Sequence, residues 1–121
     1  MRTNQSVNIE QLEGRSFIIG REGHIYIDST TASKHHAEIS IRDGQIHLRD
    51  LDSTNGTFLL KNRMRVRFEQ GFVNMLQPVV IGGKIFAIKD LLAIASDFVA
   101  LDEGETEIES VVDPARRTAN G

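Results

Sequence analysis

The residues best suited to binding an anion fall into three short stretches of the sequence. They are Gly20 and Arg21 in the first, Ser33, Lys34 and His36 in the second, and Thr54, Asn55 and Gly56 in the third. An arginine presents a planar fork of donors to oxyanions, hydroxyl and amide groups add further donors, and glycine lets a ligand approach the backbone. A phosphate monoester, which is a doubly charged anion rich in acceptor oxygens near neutral pH, would satisfy such a set.

The chemistry that accompanies these residues is that of binding and not of catalysis. The sequence contains no cysteine, and no paired carboxylates, no nucleophile beside a base and no glycine-rich strand-to-helix turn occur near the three stretches. We therefore predict that the protein holds a phosphate without transferring it, is not an enzyme and requires no cofactor. One alternative stays open, in which the three stretches are ordinary turns whose side chains bond to their own loops.

Two other polar clusters raise the question of a metal ion or a nucleic acid. His35 and His36 are adjacent, so on a strand they would point to opposite faces, and no carboxylate spacing completes a metal site. The stripe formed by Arg63, Arg65 and Arg67 has no aromatic residue interleaved with it, which favours charge that faces solvent. We expect neither a metal site nor a nucleic-acid partner.

Alternating apolar and polar residues predict many short strands around these stretches. The clearest pattern is a hairpin in which residues 36–42 and 45–49 flank Asp43-Gly44, a pair suited to a two-residue turn with positive φ. Further strands are predicted at residues 7–12, 15–19, 25–27, 57–60, 64–68, 72–76, 79–81 and 84–89. Turn signals about every eight to twelve residues favour an antiparallel β-sandwich over βαβ units.

The last part of the sequence has a different composition. Asp90 could cap a helix over residues 90–101, whose apolar residues fall on one face that would pack on the sandwich. Residues 102–121 are acidic and poor in apolar side chains, which predicts a disordered tail. Residues 1–89 hold 12 Lys and Arg against 9 Asp and Glu, whereas residues 90–121 hold 2 against 8. The body is therefore mildly basic and the end of the sequence acidic.

Taken in order, the motifs resemble those of a known family. The stretches Gly20-Arg21, Ser33-x-x-His36-Ala37-Glu38-Ile39 and Asp50-Leu51-x-Ser53-Thr54-Asn55-Gly56-Thr57-Phe58 are similar to the pattern of the forkhead-associated (FHA) domain. The resemblance covers roughly residues 7–89. It implies an all-β fold, an antiparallel β-sandwich of about eleven strands, with loops at one end that bind phosphothreonine peptides. The predicted organisation is then a sandwich at 1–89, a short C-terminal helix at 90–101 and the tail at 102–121.

The resemblance also implies roles for the residues of the three stretches. Those that would contact the phosphopeptide are Arg21, Ser33, Lys34, Thr54 and Asn55, and those that would shape the site are Gly20, His36 and Gly56. Arg21 and Ser33 would be the main phosphate contacts, and Asn55 would hold the peptide main chain. The implied partner is a phosphothreonine-containing protein marked by a Ser/Thr kinase in a signalling or assembly pathway.

The residues themselves leave two alternatives to this interpretation open. The protein could be a phosphate-independent scaffold that uses the sandwich and the helix for oligomerisation. Alternatively, Thr106 in the acidic tail could be phosphorylated and occupy the basic site. No apolar run reaches the roughly 20 residues that span a bilayer, so we expect a soluble cytoplasmic protein without membrane insertion. The sequence departs from the family pattern at His24, at residues 61–63 and at Phe72, none of which is a predicted phosphate contact.

Overall fold

Two β-sheets and a C-terminal helix make up the part of the chain, residues 8–109, that a computed structural model describes. The strands are β1 (Ser16–Gly20), β2 (Ile25–Tyr26), β3 (Ala37–Arg42), β4 (Gln45–Asp50), β5 (Thr57–Lys61), β6 (Met64–Arg67), β7 (Gln70–Val73), β8 (Pro78–Ile81) and β9 (Lys84–Ala87). One sheet has the order β2-β1-β3-β4-β7 and the other β6-β5-β8-β9. All neighbours are antiparallel except β1 and β2. The predicted all-β sandwich is confirmed, with nine strands in the described residues.

Aliphatic side chains on alternate strand positions form the core between the sheets. In the central hairpin of β3 and β4, Ile39 lies opposite Leu48 and Ile41 opposite Ile46, and all four are buried. Each of these side chains removes apolar surface from water, which is the main favourable contribution to folding. The core therefore fixes the strands whose ends carry the polar loops.

Tight turns whose residues have positive φ join the two strands of several hairpins. Asp43 and Gly44 have φ of 53° and 73°, as predicted for the turn between β3 and β4. The carboxylate of Glu13 accepts the N–H groups of both residues at 2.6 and 2.8 Å, which ties this turn to the start of the chain. Asn62 and Arg63, with φ of 52° and 66°, form the corresponding turn between β5 and β6. The departure from the family's usual turn residues therefore leaves a two-residue hairpin intact.

The strand predicted at residues 7–12 is wrong, because part of that segment is a short 3-10 helix, Ile9–Leu12. The side-chain oxygen of Asn8 accepts the N–H of Glu10 at 3.0 Å and so starts the turn. Leu12 is fully buried in the core, whereas Glu10 is exposed. Period-two alternation is a weak signal in a segment whose first residue can cap a turn.

The C-terminal helix, α1 (Ile88–Glu109), packs on the sandwich through one apolar face. Its buried side chains recur at helical spacing and are Ile88, Leu91, Leu92, Ala95 and Val99. The helix contacts β2, β9 and the 3-10 helix. No helix within residues 8–109 is long and apolar enough to cross a membrane.

Both ends of α1 differ from the predicted boundaries of 90–101. The N–H groups of Ile88 and Lys89 donate to the carbonyls of Gln77 and Met75 at 3.0 and 2.8 Å, so the helix begins without a side-chain cap. Asp90 instead lies in the first turn, where its charge favours the helix dipole.

At its other end α1 reaches residue 109, because the segment after residue 101 is rich in glutamate, which favours helix, and no proline interrupts it. The predicted tail thus overlaps α1 over residues 102–109, including the backbone of Thr106, and its remainder lies outside the described residues.

Replacing Leu92 by alanine should lower the free energy of unfolding by about 2 to 5 kcal/mol, because it leaves a cavity where the fully buried leucine side chain was packed. Ile94 lies two residues away on the same helix but is 42% exposed, so Ile94→Ala should cost less than about 1 kcal/mol. Urea denaturation followed by circular dichroism measures both. Equal stability of the two variants would contradict the packing of α1 on the sandwich.

Candidate functional site

The imidazole of His36 joins the second and third polar stretches at one end of the sandwich. The ring is fully buried, Nδ1 accepts the backbone N–H of Ser33 at 2.9 Å, and Nε2 lies 2.9 Å from the carbonyl oxygen of Gly56. Because Nδ1 accepts a hydrogen bond from an N–H, the ring proton belongs on Nε2, which donates to Gly56. One neutral side chain thus fixes the backbone of both loops.

The backbone of His36 holds the same loops to the ends of two strands. Its N–H donates to the carbonyl of Ile19 in β1 at 2.8 Å, and its carbonyl accepts the N–H of Leu51, just after β4, at 2.9 Å. Every hydrogen-bonding group of a fully buried residue needs a partner, and His36 finds one in each direction. The loops are therefore positioned from the core outward.

Ser33 connects the second stretch to the third through its hydroxyl group. The Oγ atom accepts the backbone N–H of Thr54 at 3.0 Å. A hydroxyl that accepts in this way still has its own proton to donate. Since Ser33 is only partly buried, that donor can reach a ligand outside the loop.

Arg21 is held by the second stretch but keeps its terminal nitrogens for other partners. Its Nε donates to the carbonyl of Ala32 at 2.7 Å, and its backbone N–H donates to the carbonyl of Ser33 at 3.2 Å. Among the side chains of residues 8–100, which are the ones that the structure describes, no acidic group pairs with this exposed guanidinium. An orientated arginine without a carboxylate partner is suited to an external oxyanion.

Gly20 is required where β1 meets the second stretch. A Cβ atom at this position would lie 2.2 Å from the carbonyl oxygen of Lys34 and 2.8 Å from that of Ser33. Because both neighbours are backbone atoms, neither can move aside without breaking the loop. The close approach places Arg21, the next residue, beside the loop that carries Ser33.

The remaining predicted contacts differ in how firmly they are placed. Asn55 donates from Nδ2 to the carbonyl of Thr31 at 2.8 Å, which leaves its side-chain oxygen for a ligand. Thr54 is exposed and is held through its backbone. The Nζ of Lys34 lies 3.8 Å from Glu22 Oε2, but both side chains are more than half exposed, so this pair contributes little. Lys34 is the least constrained of the set.

Asp50, which is not among the predicted site residues, organises the third stretch. Its carboxylate accepts the Oγ–H of Ser53 at 2.6 Å, the N–H of Ser53 at 3.1 Å and the Oγ1–H of Thr57 at 2.7 Å. The Ser53 Oγ in turn accepts the N–H of Gly56 at 3.0 Å. The Asp-x-x-Ser spacing is a signal for such an Asx-type turn, so the role could have been predicted.

The ionisation of Asp50 reflects these bonds. Burial alone would raise the pKa of its carboxyl, but the hydrogen bonds from Ser53 Oγ, Thr57 Oγ1 and Ser53 N outweigh it and lower the pKa. The negative charge of Asp50 is consequently stabilised by donors within the loop. It lies beneath the site without occupying the donors on its surface.

The other histidines take positions apart from His36. No group of three or more histidine or acidic side chains in the described part of the chain could hold a metal ion. His47 is buried under Phe72 on the outer face of β4, where burial, and then the charges of Arg42 and Arg49, outweigh the effect of Glu38 and lower its pKa.

His24 lies near the site but is engaged with the fold. Its Nδ1 accepts the N–H of Ile18 at 2.9 Å, and its ring lies edge-on to Phe98 of α1 with centroids 5.2 Å apart. The histidine at this departure from the family pattern thus links the loop after Arg21 to the C-terminal helix.

The basic stripe has an aromatic neighbour in the adjacent strand. Phe58 of β5 lies between Arg65 and Arg67 of β6, with guanidinium carbons 6.0 and 5.8 Å from its ring centroid. No aromatic residue is interleaved within the stripe itself, but the neighbouring strand supplies one.

Comparisons with known proteins find domains of similar sequence and fold. A family model described as the FHA domain matches residues 14–73. The chain is similar to a solved structure from work on phosphothreonine-dependent FHA domain interactions, at 26% identity and a TM-score of 0.53, over 60% of this chain and 73% of that one. A comparison with curated protein sequences gives no match.

Two further solved structures contain bound partners. The FhaA FHA domain, complexed with the intracellular domain of another protein, is 28% identical with a TM-score of 0.51, over 58% of this chain and 75% of that one. Mycobacterium tuberculosis EmbR in complex with a low-affinity phosphopeptide is 28% identical with a TM-score of 0.52, over 60% of this chain and 19% of that one.

The charge of Asp50 should stabilise the domain above pH 4 or so. Its folded pKa is lowered, so its contribution is present above the unfolded value of about 3.9 and is lost as the pH falls through the folded value. Asp50→Asn should lower the free energy of unfolding by about 1 to 3 kcal/mol at neutral pH and weaken its dependence on acid pH.

Urea denaturation at several pH values between about 2 and 7 tests this. Asp52→Asn is the control, because it removes an exposed carboxylate from the same loop at a position whose positive φ asparagine also tolerates. An Asp50→Asn protein with the pH dependence of the unsubstituted protein would contradict the role of Asp50.

Proposed function

Because the chain belongs to the forkhead-associated domain family, we propose that it is a recognition module that binds phosphothreonine-containing partner proteins. The observation that carries the proposal is the hydrogen bond from the Thr54 N–H to Ser33 Oγ. It joins the two loops that hold most of the predicted contacts, beside the orientated guanidinium of Arg21. A phosphate placed against these loops would meet charged and neutral donors together.

Each predicted contact has a distinct task in this proposal. The Nη atoms of Arg21 form charge-assisted hydrogen bonds to phosphate oxygens, and the Ser33 hydroxyl donates a further bond. Thr54 and Lys34 add a donor and a mobile charge at the edge of the site. One N–H of the Asn55 side-chain amide donates to the carbonyl of Thr31. The amide oxygen and the second N–H then hold the peptide main chain.

The site-shaping residues supply the geometry that these contacts need. His36 fixes both loops from below, Gly20 permits a close approach of backbone atoms, and Gly56 permits the turn after Asn55. Gly56 has φ of 87°, a conformation that favours glycine, and a Cβ atom there would lie 2.9 Å from Arg67 Nε. Because the loops are held by backbone bonds, little ordering is needed when a peptide binds.

The partner is a protein phosphorylated on threonine by a Ser/Thr kinase, in a cytoplasmic signalling or regulated assembly pathway. The similar solved structures support this assignment, since they include an FHA domain complexed with the intracellular domain of another protein, and EmbR in complex with a phosphopeptide. The role is recognition without catalysis, because the site holds donors for phosphate but no nucleophile paired with a base.

One observation favours a second function, that of a phosphate-independent scaffold. Helix α1 leaves Ile94 and Phe98 exposed by 42% and 46%, four residues apart on one side of the helix. Such residues could contact a second copy of the chain. This function requires no phosphate, so peptide binding separates the two.

Titration with one peptide in three forms should separate the two functions. Isothermal calorimetry should show binding of the phosphothreonine form, weaker binding of the phosphoserine form and none of the unmodified form. The preference over phosphoserine should be modest, because burying one methyl group is worth only about 1 kcal/mol. Equal affinity for all three forms would exclude phosphate recognition.

Replacing Arg21 by alanine should weaken binding of the phosphothreonine peptide by at least about tenfold, because it removes a charge-assisted contact worth about 1.5 to 3 kcal/mol. Arg63→Ala is the control, since Arg63 is an exposed arginine in the turn at the opposite end of β5 from Thr57. A folded Arg21→Ala protein that retains full affinity would show that Arg21 is not a phosphate contact.

Binding should also weaken as the pH falls below about 6, where the phosphate gains its second proton and loses one negative charge. Fluorescence anisotropy with a labelled phosphopeptide between about pH 5 and 8 measures this dependence. Affinity that stays constant over the range would indicate that the doubly charged phosphate is not the species recognised.

A further inference from the structure

A groove lies directly beside the phosphate-binding loops, on the outer face of the smaller sheet. It encloses about 170 Å³, and Thr31, Asn55, Phe58, Arg65, Val80 and Gly82 are among its lining residues. This volume is several times the roughly 30 Å³ that one water molecule occupies in the liquid. The groove can therefore receive a side chain of a bound peptide.

The walls of the groove are fixed by contacts on both sides. Ser29 Oγ donates to the carbonyl of Gly82 at 2.6 Å, and a Cβ atom on Gly82 would lie 2.8 Å from that of Ala32. Asn55 is bound to the carbonyl of Thr31 across the groove's edge. The turn after β8 and residues 29–32, which precede Ser33, thus form one continuous rim.

The charge of the groove comes from Arg65. Its guanidinium carbon lies 6.0 Å from the ring centroid of Phe58, so the ring screens one side of the group from water. The neighbouring Arg67 lies 5.8 Å from the same ring but is 3.9 Å from the carboxylate of Glu69. Within residues 8–100, whose side chains the structure describes, no carboxylate pairs with Arg65 in this way, and none lines the groove.

Asn55 connects the groove to the phosphate site because it belongs to both. In the proposed complex this side chain holds the peptide main chain, and the peptide then passes over the edge of the groove. Side chains of an extended peptide alternate in direction at about 3.3 Å per residue, so a residue near the phosphothreonine can point into the groove.

We propose that the groove beside Asn55 binds an acidic side chain, Asp or Glu, that flanks the phosphothreonine in the partner protein. This inference rests on the proposed function. Arg65 supplies the positive charge, and Phe58 forms the apolar surface against which the carbon atoms of the acidic residue lie. The site thereby selects phosphothreonines that lie in acidic sequences.

The test uses a panel of phosphothreonine peptides in which one flanking position at a time carries Glu or Gln. Positions within about three residues on either side suffice, since an extended chain of that length covers about 10 Å. Fluorescence anisotropy gives the ratio of the two affinities at each position. We expect one position at which Glu binds about two- to fivefold more tightly than Gln, the size of a partly exposed ion pair.

Two variants with the same chemical change identify the residue responsible. Arg65→Gln should bring the Glu-to-Gln ratio at that position close to one, whereas Arg63→Gln, which lies outside the groove, should retain it. A ratio near one at every position, or a ratio that survives in Arg65→Gln, would overturn the inference while phosphothreonine binding itself stands. Absence of binding by every phosphopeptide would overturn the proposed function and this inference together.

Discussion

The site depends on one buried imidazole that is hydrogen-bonded to two loops. His36 accepts from the Ser33 backbone with one ring nitrogen and donates to the Gly56 carbonyl with the other. A fully buried polar group that loses a partner costs about 1 to 3 kcal/mol, so neither loop can move away cheaply. The candidate site is rigid because its lowest layer is part of the core.

A second layer of polar bonds extends this rigidity toward solvent. Asp50 gathers Ser53 and Thr57, Ser53 holds Gly56, and the Ser33 hydroxyl holds Thr54. Most of these bonds involve the backbone or a short side chain, which lose little conformational entropy on ordering. The longer side chains, such as Arg21, remain at the surface, where a ligand can use their charge.

The sequence predicted the elements whose signals are local. Asp43-Gly44 fixed the central hairpin because that pair suits a turn with positive φ, and the alternation on both sides agreed with it. The start of α1 was not predictable in this way, since the N–H groups of Ile88 and Lys89 are bound by the carbonyls of Gln77 and Met75, which lie 11 and 14 residues earlier in the chain. A cap that is formed by tertiary contact leaves no mark in the neighbouring residues.

The same distinction separates the predicted and unpredicted parts of the site. The motif positions near Arg21, Ser33 and Asn55 were recognisable from residue type and spacing, because each stretch is continuous in the sequence. The placement of Phe58 between Arg65 and Arg67 depends on the register of β5 against β6, which no local pattern specifies. The groove beside the site therefore became visible only with the fold.

The central claim is that the loops held by His36 form the surface that receives the phosphothreonine. Heteronuclear NMR of the backbone amides during titration with a phosphothreonine peptide tests it most directly. The largest shifts should occur at Arg21, Ser33, Thr54 and Asn55, with none of comparable size for the unmodified peptide. Largest shifts at the opposite end of the sandwich, near Gly44 and Met75, would contradict the claim.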